Sequence, residues 1–182
     1  LAKLVLIRSW QNYGDLQIYI IDPKQEYGGI VDFIEGETVV LDSADLSEIE
    51  TGSVTRYTVA EQSRDNTDLI AEAIRHVYRK ATEDRRKTIV LVDEAHRLLS
   101  DTDGRKALSE LVREGRDRNV SVEMITQNAA DFTRTQDGKN ILRNVDCYVF
   151  MRHQEVETGV SDFFDLSQRE AVELGRLRTG SD

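Results

Sequence analysis

Two adjacent carboxylates, Asp93 and Glu94, directly follow an uncharged run that is rich in β-branched residues, Thr88-Ile-Val-Leu-Val. Such a run is typical of a buried parallel strand, whose carboxyl end would deliver both acids to one edge of a sheet. There, Asp93 would hold the water shell of a Mg²⁺ ion, and Glu94 would orient and polarise an attacking water. The pair indicates the chemistry of nucleoside triphosphate hydrolysis. The alternative is a strand that ends at an ordinary polar loop.

The same chemistry requires a glycine-rich loop with a lysine and a hydroxyl residue to hold the phosphates. No G-x-x-x-x-G-K-[ST] motif occurs in the 182 residues, and the glycine pair Gly28 and Gly29 is not followed by lysine. The sequence also opens within a helical pattern, residues 1–11, that has no capping residue before it. We therefore expect an N-terminally truncated chain whose phosphate loop lies upstream of Leu1. We expect this chain alone not to turn over ATP.

The composition is that of one globular domain, which we assign to residues 1–182. The chain carries 34 Asp and Glu against 24 Lys and Arg, a net charge of −10, and only six of the basic residues are lysine. Acidic, lysine-poor surfaces recur in proteins that work in molar salt, which screens self-repulsion. A halophilic source is therefore one hypothesis, and an ordinary acidic cytosolic domain is the other. No apolar run approaches the roughly 20 residues of a membrane span, and the single Cys147 excludes an internal disulfide.

Helical and strand patterns alternate along the chain, which predicts an α/β fold with a mostly parallel sheet. The predicted strands are 16–21, 37–41, 88–93, 120–126 and 147–151. The predicted helices are 1–11, 27–34, 66–83, 104–114, the second half of 133–144, 155–164 and 167–177. Residues 42–62 are polar and irregular, and we interpret them as a connection or as the scar of a longer insertion.

The predicted strand ends place Asp22, Gln127 and Arg152 along the same sheet edge as the two acids, which is where open α/β sheets bind ligands. A neutral amide such as Gln127 can sense a γ-phosphate or orient water, and it can equally be a turn residue. Arg116, on a short loop before strand 120–126, can neutralise transition-state charge on a neighbour's nucleotide. Its spacing alone favours the other interpretation, a solvated helix end.

Four segments, in this order, resemble the HerA–FtsK superfamily of P-loop ATPases: Asp22-Pro-Lys-Gln-Glu26-Tyr27, Ile89-Val-Leu-Val-Asp93-Glu94-Ala-His96, Gly115-Arg116 and Ile125-Thr126-Gln127-Asn128. Within that superfamily the chain is most similar to the conjugative-transfer or type IV secretion ATPases of the VirB and TraC kind. The resemblance runs over nearly the whole chain. It implies a RecA-like core with an additional strand, built as three αβα layers.

The resemblance also implies ATP and Mg²⁺ as ligands and a role for each matching residue. Asp93 would coordinate Mg²⁺ through water, Glu94 would be the catalytic glutamate, Gln127 the sensor, and Arg116 the arginine that acts on the adjacent subunit. Glu26 belongs to a motif that we assign to the nucleotide site without a derived role. The family further implies hexamers that move DNA or a secreted protein at a membrane channel. The expected location is the cytoplasm or the inner face of the cell membrane.

Two alternatives stay open, and a third is disfavoured. A HerA-like DNA-translocating helicase of DNA-end processing shares the same core motifs. A non-catalytic scaffold with this fold would need none of Glu94, Arg116 and Gln127. A helicase of the DEAH class would carry a Ser-Ala-Thr motif after the acids, where this chain has Ile125-Thr126-Gln127.

Overall fold

The computed structural model describes residues 2–42, 46, 49, 51–60, 67–84 and 86–178, and the side chains of Asp84 and Arg116 lie outside that description. The chain divides into two compact units, Leu1–Ile125 and Thr126–Asp182. The described part of the first unit contains the sheet, whereas the described part of the second is helical.

The first unit is built on a five-stranded sheet in which every neighbouring pair of strands is parallel. The strand order is β2-β3-β1-β4-β5. The strands are β1 (Leu16–Ile21), β2 (Glu37–Leu41), β3 (Val54–Val59), β4 (Lys87–Val92) and β5 (Val120–Met124). The predicted α/β class with a parallel sheet is confirmed, as are strands 16–21 and 37–41 with their predicted bounds.

Helices cover both faces of this sheet. They are α1 (Ala2–Asn12), α2 (Gly28–Phe33), α3 (Thr67–Asp84) and α4 (Thr102–Gly115), and short 3-10 helices span Ala95–Ser100 and Arg116–Arg118. Ile18 of β1 shares a buried cluster with Leu6 of α1 and Val31 of α2. On the opposite face, Tyr57 of β3 meets His76 of α3, with ring centroids 5.8 Å apart. Because side chains alternate across a strand, this arrangement gives the three predicted layers.

The amphipathic pattern that predicts α3 is also what attaches the helix to the sheet. Its apolar residues recur at three- and four-residue spacing and are fully or almost fully buried: Ile70, Ala73, Ile74, Val77 and Ala81. Asp68 lies in the first turn, where a negative charge is favoured by the helix dipole. A helix of 18 residues with one such apolar stripe is stabilised mainly by packing.

The prediction of an irregular connection over residues 42–62 is wrong where β3 lies. All six residues of β3 are buried, and the strand lies between β2 and β1. Its sequence, Val-Thr-Arg-Tyr-Thr-Val, is β-branched and aromatic, and the side chains of Arg56 and Thr58 find partners inside the protein. The Thr58 hydroxyl donates to the carbonyl of Asp22 at 2.8 Å, and Arg56 pairs with the Asp22 carboxylate. Residues 43–45, 47, 48, 50, 61 and 62 of that prediction lie outside the described residues.

The second unit contains α5 (Ala130–Thr133), α6 (Gln136–Leu142), α7 (Thr158–Phe164) and α8 (Gln168–Arg176). These confirm the helices predicted in the second half of 133–144, in 155–164 and in 167–177. At the start of α8, Ser167 and Glu170 form a capping box, in which each side chain accepts from the other residue's backbone N–H.

The strand predicted at 147–151 is wrong. The described residues of the second unit, 126–178, contain no strand, so this stretch has no ladder partner there, and Val149 and Met151 are about two-thirds exposed. A strand needs hydrogen bonds from a neighbour, which an apolar, β-branched sequence cannot supply by itself. Among the residues that the structure describes, no helix has the length and apolar character needed to cross a bilayer.

Candidate active site

Asp22 organises the first loop of the site. It directly follows β1 and is fully buried. Its carboxylate accepts the backbone N–H groups of Glu26 and Tyr27, each at 2.9 Å, so the loop 22–27 closes back on the end of the strand. Pro23 fixes its own φ and disfavours a helical conformation for Asp22. The segment Asp-Pro-Lys-Gln-Glu-Tyr thus forms a loop built around one buried acid.

Arg56 supplies the charge that this acid needs. Its Nε lies 2.7 Å from Asp22 Oδ2, and the two side chains are 9% and 0% exposed. Burying a carboxylate is costly unless it is paired and hydrogen-bonded, and Asp22 has both a cation and two amides. The interior strand β3, which the sequence did not predict, is therefore what holds the loop in place.

Asp93 lies at the neighbouring strand end. Its backbone N–H donates to the carbonyl of Ile21 at 3.0 Å, which places it beside the loop that begins at Asp22. Burial raises the pKa of the Asp93 carboxyl to about 6; a hydrogen bond from the backbone of Glu94 opposes the rise, and the nearby Glu94, Glu26 and Asp22 carboxylates add to it. A buried acid among other acids is a site that a cation would stabilise.

Glu94 leaves the strand in the left-handed conformation, with φ 51° and ψ 38°. The next residue, Ala95, donates its N–H to the carbonyl of Ile125 at 2.9 Å, so the turn is fixed against the end of β5. The Glu94 side chain is 7% exposed. Its Oε1 accepts from Lys24 Nζ at 2.7 Å, and its Oε2 lies 3.6 Å from His96 Nε2. Left-handed backbone at a non-glycine residue is strained, and such strain concentrates at functional sites.

Tyr27 and Glu123 complete the surroundings of the acids. Burial raises the pKa of the Tyr27 hydroxyl, and the charges of Asp93, Asp22, Glu26 and Glu123 raise it further. Burial also raises the pKa of Glu123. Within the first unit, the structure therefore brings Asp22, Glu26, Asp93 and Glu94 into one acidic cluster at the carboxyl edge of the sheet.

Of the other predicted site residues, Arg116 lies in the first unit and two lie in the second. Arg116 begins the 3-10 helix that precedes β5, at the amino edge of the sheet, whereas Asp93 follows β4 at the carboxyl edge. The five residues of β5 separate the two levels by roughly 13–17 Å. Gln127 and Arg152 belong to the second unit and are exposed there. The strand that was to carry Arg152 does not form in the described part of that unit.

A family model described as an AAA-like domain matches residues 35–180, which is most of the chain. The chain belongs to this family. It is therefore a P-loop ATPase in kind, as the parallel sheet and the acids at its carboxyl edge independently indicate. No curated protein matches the chain. Within this AAA-like domain, Asp93, Glu94, Arg116 and Gln127 fall inside the matched residues, whereas the loop 22–27 precedes them.

The acidic edge of the AAA-like domain fits a magnesium ion held in the manner of nucleotide enzymes. Mg²⁺ at such sites takes one or two carboxylates together with water and phosphate oxygens, and needs no all-protein cage. The described residues contain no group of three or more His, Cys, Asp or Glu arranged to hold a metal. Asp93, with its raised pKa, is the carboxylate that a divalent cation would favour.

Two residues of this edge, Lys24 and Arg56, are not among the predicted site residues. Lys24 lies within the Asp-Pro-Lys-Gln-Glu-Tyr segment, so the only signal for it was its place in that motif. Arg56 carried a different signal, a basic residue inside a β-branched and aromatic run. Such a residue in a buried strand must have an acidic partner, and Asp22, 34 positions earlier, was the candidate at a strand end.

Proposed function

We propose that this chain is the hydrolytic core of a motor ATPase that couples ATP turnover to the movement of DNA or protein in conjugation or type IV secretion. The observation that carries the hydrolytic part is the geometry of Asp93 and Glu94. Asp93 is buried beside the end of β1. Glu94 itself has a left-handed backbone conformation and lies at the carboxyl edge of the sheet, where such folds bind ligands.

Each acid has a distinct role in the proposed reaction. Asp93 would hold the water shell of Mg²⁺, which when bound would supply positive charge next to the phosphates. Glu94 accepts a hydrogen bond from the attacking water and aligns it with the terminal phosphorus. Glu26 contributes negative charge near Asp93, which favours a cation there.

Arg116 and Gln127 extend the proposal to an assembly. Because Arg116 and Asp93 stand at opposite edges of one sheet, Arg116 is suited to a neighbouring subunit's nucleotide rather than to its own. That arrangement supports a ring of subunits, for which we propose a hexamer. Gln127 is proposed as the group that senses the γ-phosphate. The alternative is a HerA-like DNA-translocating helicase of DNA-end processing, which shares the same core motifs.

The hydrolytic part is tested by ATP turnover of the natural protein with Mg²⁺ present. Glu94→Gln keeps the size of the side chain and removes its basicity, so turnover should fall by at least about 100-fold. The matched control is Glu83→Gln, the same substitution at an exposed position of α3, which should leave turnover unchanged. Equal turnover in the wild type and Glu94→Gln would refute the proposed role of Glu94, and no turnover in the wild type would favour the non-catalytic scaffold.

The proposed coupling is tested by measuring ATP turnover with DNA or a protein substrate added. Single- or double-stranded DNA that raises turnover in the wild type, and not in Glu94→Gln, would support a DNA motor. Stimulation by a protein substrate with no effect of DNA would support protein transfer. No response to either, in a protein that hydrolyses ATP, would contradict the proposed coupling.

A further inference from the structure

Lys24 contacts the proposed catalytic carboxylate from a loop that is itself fixed. Its Nζ lies 2.7 Å from Glu94 Oε1. The loop backbone is held by Asp22 through the N–H groups of Glu26 and Tyr27. Gln25, which lies between Lys24 and Glu26, adopts a left-handed φ of 61°, and its side-chain amide donates a hydrogen bond to the carbonyl of Val59 at 3.0 Å. The backbone under Lys24 is thus anchored on both sides.

The lysine side chain is the less confined partner of the pair. It is 36% exposed, whereas the Glu94 side chain is 7% exposed. Four rotatable bonds let an ammonium group move while its backbone stays in place. A change in the charge near Glu94 can therefore move Lys24 without rearranging the loop.

This pairing opposes the role proposed for Glu94. A carboxylate that orients water must offer an oxygen to the water's hydrogen. Here Oε1 already accepts from an ammonium, and Oε2 lies 3.6 Å from an imidazole nitrogen of His96. An ammonium at hydrogen-bond distance also makes a carboxylate a poorer acceptor for any other donor. The observed geometry is that of a restrained glutamate.

We propose that Lys24 restrains Glu94 in the nucleotide-free protein and releases it when a divalent cation and a nucleoside triphosphate occupy the acidic edge. In the free protein, Lys24 compensates the negative charge of an edge that holds Asp93, Glu94 and Glu26. Once Asp93 holds a divalent cation, Lys24 faces a like charge a short distance away, and its pairing with Glu94 weakens. This inference rests on the proposed ATPase function and adds a nucleotide-dependent control of its catalytic group.

The first test is ATP turnover by the natural protein with Lys24→Met, which keeps the stem and removes the charge. Turnover should rise about two- to five-fold, the factor that corresponds to losing a partly exposed ion pair. Lys24→Arg restores a cation and should return turnover toward the wild-type rate. Lys106→Met, at an exposed position of α4, is the matched control and should have no effect. The double variant Lys24→Met with Glu94→Gln should be inactive.

The possible results separate this inference from the proposed function. If turnover is lost in Glu94→Gln, and falls or stays constant in a Lys24→Met variant that is as stable as the wild type, the restraint alone is refuted. Turnover that persists in Glu94→Gln refutes the proposed function, and the restraint with it. Thermal unfolding of Lys24→Met shows whether a fall in turnover comes from loss of folded protein; the labelling experiment then decides.

The second test requires no change at Lys24. Amine-reactive labelling, read by mass spectrometry, measures how available each lysine is. In the nucleotide-free protein, Lys24 should label more slowly than in Glu94→Gln, whose amide cannot form the ion pair. Addition of Mg²⁺ with a non-hydrolysable triphosphate should raise its labelling, while Lys106 stays constant. Identical Lys24 labelling in the wild type and Glu94→Gln, or no response to the triphosphate, would overturn the inference.

Discussion

Arg56→Met is the substitution that most directly tests how the acidic edge is held together. Arg56 is a buried cation in the interior strand β3, and it pairs with a fully buried Asp22 at 2.7 Å. Methionine keeps the unbranched apolar stem, so little packing is lost. What changes is the charge: Asp22 keeps its hydrogen bonds from two backbone amides and loses the guanidinium that pairs with it.

The expected cost follows from the burial of that pair. Removing one partner of a buried ion pair typically destabilises a protein by about 3–5 kcal/mol, because the remaining charge stays buried. The two amides that still bind Asp22 favour the lower end, so we expect about 3 kcal/mol. With a urea dependence of about 2 kcal/mol per molar, the unfolding midpoint should fall by about 1.5 M.

The assay is equilibrium urea unfolding, and the control is Arg75→Met. Arg75 pairs with Glu72 at 3.0 Å, but the two side chains are 36% and 44% exposed. Surface pairs of this kind contribute less than about 1 kcal/mol, so the midpoint of the control should fall by under about 0.5 M. Equal shifts for the two variants would refute the argument that Arg56 and Asp22 form the anchor of the loop.

Two further predictions concern the buried acid and the second unit. Asp93 has a pKa of about 6 in the folded protein, against a reference of 3.8 for the unfolded chain. The folded protein therefore holds the proton more tightly, and the stability that this provides is complete below about pH 4. It is lost as the pH rises through 6, which lowers the free energy of unfolding by about 3 kcal/mol. Asp93→Asn should therefore unfold at higher urea than the wild type at pH 7 without Mg²⁺, and at equal urea near pH 4; a constant difference would contradict this. Gly138→Ala should lower the melting temperature, because a Cβ there would clash with the carbonyl oxygen of Phe132, whereas Gly29→Ala, with nothing within 4 Å of its Cβ, should leave it unchanged or raise it. Similar melting temperatures for these two variants would argue against the close packing of α5 and α6.

Local pattern was enough to predict most of the first unit. The helix α3 follows from apolar spacing, and strand β4 follows from an uncharged run that ends at Asp93. Both signals depend only on residues that are close in sequence: one predicts a helix with a buried face, and the other predicts a buried strand. The acids at the strand end were predicted for the same reason.

The errors came from contacts that join distant parts of the chain. Strand β3 has polar residues that a local pattern assigns to a loop. Arg56 is tolerated there because Asp22 lies at the end of the neighbouring strand β1 and pairs with it. The stretch 147–151 has the opposite character, with a sequence suited to a strand and no partner strand among the described residues of its unit. The contact of Lys24 with Glu94, 70 positions apart, has no local signal at all.

The most direct test of the central claim is equilibrium binding of ATP to the natural protein with Glu94→Gln, measured with and without Mg²⁺. Without its catalytic carboxylate the protein should bind ATP and not hydrolyse it, and Mg²⁺ should strengthen the binding. Adding Asp93→Asn should remove most of the gain that Mg²⁺ provides. An equal gain from Mg²⁺ in both variants, or hydrolysis by Glu94→Gln, would contradict the assignment of Asp93 and Glu94 as the metal and water ligands of an ATPase.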